Sequence, residues 1–76
     1  VPRLPTLSGR EVVKIFERLG WIVARQRGSH IILVKEDQIA SLSVPDHREI
    51  AQGTLRSLIR SAGLTVSEFL APQNQP

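Results

Sequence analysis

The chain has 76 residues and a mass of 8.5 kDa, with ten Lys+Arg against seven Asp+Glu, two His and no Cys. That is short of the roughly 100 residues of a typical domain, so it implies one domain with a thin core, burying only about 60% of its unfolded surface. A chain without cysteine excludes a disulfide scaffold, a thiolate zinc site and a thiol nucleophile, and His30 and His47 alone are too few for a closed zinc site.

The longest apolar run, Ile31–Val34, falls far below the roughly 20 residues of a membrane span. No charged-then-apolar leader opens the sequence, so the expected setting is a reducing cytoplasm without a membrane partner. Residues 1–35 hold seven basic and two acidic groups, whereas residues 36–76 hold three basic and five acidic ones. Eight of the ten basic residues are Arg and the isoelectric point is near 10.7. This pattern suits a polyanionic partner, nucleic acid first, or else a solvated face rich in Arg.

In chain order, residues 1–7 carry Pro2 and Pro5 and read as an extended lead-in. Ser8-Gly9-Arg10-Glu11 is a capping box, and Val12, Ile15, Phe16 and Leu19 follow as a helical stripe that Gly20 ends. Three strand-like runs come next: Trp21–Arg27, His30–Lys35 and about Ile39–Val44. Gly28-Ser29 separates the first two at the spacing of a type II′ hairpin turn, with Gly28 taking the positive φ. Leu55, Leu58, Ile59 and Ala62 mark a second helix over Gly53–Ala62, stopped by Gly63. Thr65-Val66-Ser67-Glu68 is another capping box, opening a short terminal turn with Phe69 and Leu70. The tail, 71–76, reads as frayed. The expected order is α-β-β-β-α, an α+β fold whose three-stranded antiparallel sheet is covered by two helices on one face, with the domain proper over residues 8–70.

Hairpin parity takes the sheet further. Arg27 should face His30, Arg25 should face Ile32, and Val23 should face Val34. A regular alternation then puts Trp21, Val23, Ile32 and Val34 on the helix-covered face, with Arg25, Arg27 and His30 at its hairpin end, where the cover runs out. Bringing Ala40, Leu42 and Val44 to that face requires a three-residue turn at Glu36–Gln38 and sets Val44 opposite His30. The second face would carry Ile22, Ala24, Ile31, Leu33 and Ile39, with Gln26, Lys35, Ser41 and Ser43. It is too apolar for solvent, which points to a covering partner or to a different register.

His30 is the first candidate for chemistry, since an imidazole moves protons in both directions near neutrality. It could take the proton of a ribose 2′-OH or protonate a departing 5′-oxygen, with Arg25 and Arg27 steadying the phosphoryl charge; the alternative is a surface His beside a turn. His47, in Pro45-Asp46-His47, is a candidate second proton carrier or RNA contact whose charge Asp46 or Glu49 could bias; the alternative is a loop residue beside a capping Asp46. Arg56 and Arg60 form a basic ridge on the second helix, behind the uncapped Gly53-Thr54 start. Lys14 and Arg18 are flanked by Glu11 and Glu17 and read as intrahelical pairs. Trp21 reads as core. Ser8, Ser29 and Ser57 show no triad around them.

Leu19-Gly20-Trp21, Arg25-Gln26-Arg27-Gly28-Ser29-His30, Val44-Pro45-Asp46-His47, Gly53-Thr54-Leu55-Arg56-Ser57-Leu58 and Ala62-Gly63-Leu64, in this order, resemble the HicA (YcfA-like) family of small toxins. The resemblance implies a double-stranded-RNA-binding-like fold, mRNA interferase activity and a HicB-type antitoxin; the missing Cys and the two His make metal-free acid/base work without a cofactor the expected chemistry. It puts the catalytic role on His30 and matches Pro45 and His47 to the family's Pro-x-His block; the reading of turn and charge adds His47 and Ser29 as auxiliary candidates, Gly28 as the turn residue, and Arg25, Arg27, Lys35, Arg56 and Arg60 as the RNA-contacting set. The family often has Lys before Gly-Thr-Leu, where this chain has Ile50-Ala51-Gln52. A non-catalytic RNA-binding module of the same fold is the alternative, and a pure interaction domain using the apolar sheet face is a third.

Overall fold

A computed structural model of the protein describes residues 3–71. Its elements are α1 (Gly9–Arg18), β1 (Ile22–Arg27), β2 (His30–Val34), β3 (Leu42–Pro45), α2 (Gln52–Ser61) and α3 (Val66–Leu70). The strands form an antiparallel sheet in the order β1-β2-β3. Helix α1 packs on β1 and β3, α2 packs on β3, and α3 closes against both helices. The arrangement is the expected α+β fold, with the terminal turn developed into a third, short helix.

Local chemistry accounts for the helix ends. The Ser8 hydroxyl accepts the Glu11 amide at 3.2 Å while the Glu11 carboxylate accepts the Ser8 amide at 2.9 Å. Thr65 and Glu68 repeat the exchange at α3, at 3.1 and 2.8 Å. Together these satisfy orphan amide donors that the first helical turn leaves unpaired. Gly20 and Gly63 follow α1 and α2 at φ of 101° and 76°, a region that costs a side chain steric strain.

The core joins Val12, Val13, Ile15 and Phe16 of α1, Trp21, Ile31 and Leu33, Leu42 and Val44, Leu55, Leu58 and Ile59 of α2, and Phe69 of α3. Phe16 is its centre, edge-on to Trp21 with ring centroids 6.1 Å apart and tilted against Phe69 at 5.1 Å. The lead-in also packs: Leu4 and Leu7 are buried, and the Leu7 carbonyl accepts the Ile50 amide at 2.8 Å.

The sheet faces differ from the expected ones, and one residue is responsible. Val23 pairs with Leu33 and Arg25 with Ile32, so Ala24 is an extra residue in β1, a β-bulge. Trp21 and Val23 do face the helices, although Val23 at the sheet edge remains 40% exposed. Past the bulge the alternation reverses. Gln26, Ile31, Leu33, Leu42 and Val44 take the helix side, and Ile32 and Val34 are not core residues. Arg25, Arg27 and His30 therefore lie on the open face, not at the end of the covered one. That open face also carries Ile22, Ile32, Val34, Ser43 and Pro45, in place of the expected Ile31 and Leu33.

The connection to β3 differs too. Glu36–Gln38 is not a three-residue hairpin turn; the chain turns at Lys35–Gln38 and then runs exposed through Ile39, Ala40 and Ser41 before β3 starts at Leu42. Ala40 consequently stays out of the core. Pro45, rather than Val44, stands opposite His30. Residues 72–76 of the expected frayed tail lie outside the described residues. Among the described residues no helix is long and apolar enough to cross a membrane.

Candidate functional site

The site is built from a hairpin end. Gly28 at φ 59° followed by Ser29, which is not at positive φ, matches a type II′ rather than a type I′ turn, so the glycine is required and the serine is not strained. This turn delivers His30 as the first residue of β2, directly opposite Arg27. Cross-strand partners share a face with their Cβ atoms about 4.5–5.5 Å apart, and a diagonal neighbour such as Arg25 stands at about 7–8 Å. All three side chains are exposed, and among the described residues no carboxylate lies within 4 Å of either arginine. An imidazole flanked by two uncommitted guanidiniums, on a face that no helix among the described residues covers, can meet a phosphodiester and leave its charge to Arg25 and Arg27.

The segment after β3 closes the far side of the turn. The Asp46 amide donates to the Ser29 carbonyl at 2.6 Å, so Pro45-Asp46-His47 runs beside the hairpin. The His47 side chain is exposed, and its carbonyl accepts the Gly9 amide at 2.8 Å. The Asp46 carboxylate neither caps a helix nor serves His47. It accepts Arg10 Nε at 3.4 Å and Gln26 Nε2 at 3.3 Å.

Other members of the expected RNA-contacting set lie elsewhere. Lys35 is five residues along the chain from His30, about 16 Å away at strand rise, half-buried beneath Gly20 and paired with Asp37 at 3.6 Å. Arg56 and Arg60 are exposed on α2, behind the sheet. The α2 N-terminus has Ala51 as its cap with no side-chain hydrogen bond and no acidic residue in its first turn. Lys14 and Arg18 make no ion pair within 4 Å among the described residues, contrary to the expected intrahelical bridges. The Ser8 amide, then the Ser8 hydroxyl, hold the Glu11 carboxyl below its usual value. Among the described residues no group of three or more His, Asp or Glu side chains is placed to hold a metal ion.

The family model described as "HicA toxin of bacterial toxin-antitoxin" matches residues 9–64, most of the chain. The protein belongs to the HicA toxin family. A solved chain described as part of a toxin–antitoxin complex from Streptococcus pneumoniae has a TM-score of 0.68 and 32% identity, covering 76% of this chain and 98% of that one. A search of the curated proteins gives no match. The HicA match begins at the first residue of α1 and ends at Leu64, just past α2. Leu4, Leu7 and Phe69 lie outside it yet complete the core, so in this HicA protein both flanks belong to the folding unit. Gln26 and Asp46 are the contacts that sequence reasoning missed. An unbroken alternation put Gln26 on the wrong face, and no sequence pattern announces a carboxylate shared between α1 and β1.

Proposed function

We propose that this toxin is a metal-independent endoribonuclease that cleaves mRNA through His30 and is neutralised by a HicB-type antitoxin. The observation that carries the proposal is the exposed His30 on the uncovered sheet face, opposite Arg27 and diagonal to Arg25. In the forward step the imidazole takes the 2′-OH proton, and the 2′-oxygen attacks the adjacent phosphorus. The bond to the 5′-oxygen breaks, leaving a cyclic phosphate and, once protonated, a 5′-hydroxyl end. Arg25 and Arg27 steady the negative charge that builds on the phosphoryl oxygens. Ser29 and His47 are the auxiliary candidates, with His47 the available second proton carrier.

His30→Ala is expected to abolish RNA cleavage and growth arrest while the circular dichroism spectrum is kept, and wild-type cleavage is expected to survive EDTA. A folded His30→Ala variant as active as wild type refutes the assignment. Salt-sensitive RNA binding without cleavage, unchanged by that substitution, makes the protein a non-catalytic RNA-binding module instead. For the partner, co-expression with the product of a neighbouring HicB-type reading frame should relieve growth arrest and yield a co-purifying complex. Failure of both would remove that partner.

A further inference from the structure

His30 follows an exposed turn of the sheet. The Gly28-Ser29 turn is exposed, and a Cβ placed on Gly28 would meet nothing within 4 Å. A hairpin end without packing opens at little cost, yet the Ser29–His30 peptide plane sets where the imidazole points. Both turn carbonyls are nevertheless held, one from the helix side of the sheet and one by the β2–β3 ladder. The Gly28 carbonyl accepts Gln26 Nε2 at 3.2 Å, and the Ser29 carbonyl accepts the Asp46 amide at 2.6 Å. Gln26 Nε2 carries two hydrogens, and it also donates to Asp46 Oδ2 at 3.3 Å. The backbone at 46 thus holds the Ser29 carbonyl, and the Asp46 carboxylate acts on the Gly28 carbonyl through Gln26. The same carboxylate reaches Arg10 of α1 at 3.4 Å, an exposed pair that adds little energy but links the latch to a third element.

We infer that Gln26 and Asp46 are positioning residues that latch the Gly28-Ser29 turn and so orient His30, an inference that rests on the catalytic role proposed for His30. Gln26 sits on the helix side of the sheet and the Asp46 carboxylate turns to Gln26 and Arg10, whereas His30 faces the open side. A misplacement of about 1 Å in a reacting group costs on the order of 10²-fold in rate. Loss of the latch therefore lowers kcat and leaves RNA affinity, which the arginines supply.

The test uses the full chain and a fluorophore-quenched RNA that the wild type cleaves, with Gln26→Ala, Asp46→Ala, Asp46→Asn and the Gln26→Ala/Asp46→Ala double variant beside His30→Ala. The expected result is a fall of about 10- to 100-fold in kcat for both single alanine variants, with KM within about threefold. The double variant should fall no further than the worse single one, because the two residues act as one unit. Asp46→Asn, which keeps an acceptor for Gln26, should recover most of the rate, and the pH–rate limbs should stay in place. Hydrogen exchange at the His30 and residue-46 amides should quicken at least about tenfold in Gln26→Ala, with the thermal midpoint within a few degrees of wild type. Wild-type kcat in both alanine variants overturns the inference, as does a loss confined to KM. If His30→Ala itself keeps full activity, or no RNA is cleaved, the catalytic proposal fails instead. Unchanged exchange at those amides then also overturns the latch.

Discussion

Gly9→Ala is the sharpest test of how α1 meets the site. Gly9 is buried at the first position of α1, and its amide donates to the His47 carbonyl at 2.8 Å. A Cβ built there would overlap the Pro45 carbonyl oxygen and stand 3.0 Å from the Pro45 carbonyl carbon and 3.1 Å from Asp46 Cα. All three are backbone atoms, so no side chain can swing away, and either α1 or the Pro45-Asp46 segment has to move. Overpacking of this kind costs about 1–3 kcal/mol, and a weakened Gly9–His47 hydrogen bond about 1 kcal/mol more. Alanine's helix preference returns somewhat less than 1 kcal/mol, leaving a net loss of about 2 kcal/mol. In a domain of this size that lowers the thermal midpoint by about 8–16 °C. Gly53 supplies the control, being the second residue of α2 with nothing within 4 Å of its Cβ position. Gly53→Ala should therefore stabilise, by about 0.4–1 kcal/mol. Urea and thermal unfolding followed at 222 nm read both variants. A Gly9→Ala protein as stable as wild type would refute the close approach of α1 to Pro45.

Three further outcomes follow from the packing. Phe69→Ala removes a fully buried ring packed at a tilt against Phe16 and should cost about 3–5 kcal/mol, against about 4–11 kcal/mol available to a chain of this length. Its amide spectrum should be collapsed or close to it, and a well-dispersed spectrum with a wild-type urea midpoint would place α3 outside the folding unit. The sheet register is tested by neighbours: Leu33→Ala, fully buried, should lose about 2–5 kcal/mol, whereas Val34→Ala, at a position 40% exposed, should lose under about 1 kcal/mol. Equal losses by denaturant titration would mean that the faces are misassigned. The Glu11 carboxyl, held low by the Ser8 amide and hydroxyl, stabilises the fold fully above its unfolded pKa, and that stabilisation fades as pH falls through the lowered folded value. Glu11→Gln should accordingly be less stable than wild type at pH 7, and the gap should close in acid. A gap that is constant across pH would contradict the capping box.

The helices were readable because each carries its own punctuation. Ser8 and Glu11, Thr65 and Glu68, and the glycines at 20 and 63 report on backbone a few residues away, and all act as expected. The sheet was not readable in the same way. Ile31–Val34 is apolar at every position, so β2 has no phase of its own and borrows one from β1. In β1 the alternation from Trp21 and Val23 holds only as far as Ala24, where the bulge resets it. The candidate histidine was still found, because its place beside the turn depends on Gly28-Ser29 and not on phase. Its neighbours Arg25 and Arg27 came with it, on the opposite face from the one expected. Lys35, Arg56 and Arg60 were grouped with them by charge alone, and three-dimensional placement separates them.

The extra residue in β1 also makes chain length, rather than residue identity, what matters at position 24. Trp21 must anchor against Phe16 while Arg27 stands opposite His30, and an odd residue between them is what lets one short strand serve both. Substituting Ala24 by another small residue leaves that count intact. Deleting it would turn the arginines inward or pull Trp21 out, so a one-codon deletion there should be far more damaging than any exchange at the same codon. Growth arrest scored across such a deletion and a set of substitutions would show the difference, and a fully toxic deletion would show that the count is not needed.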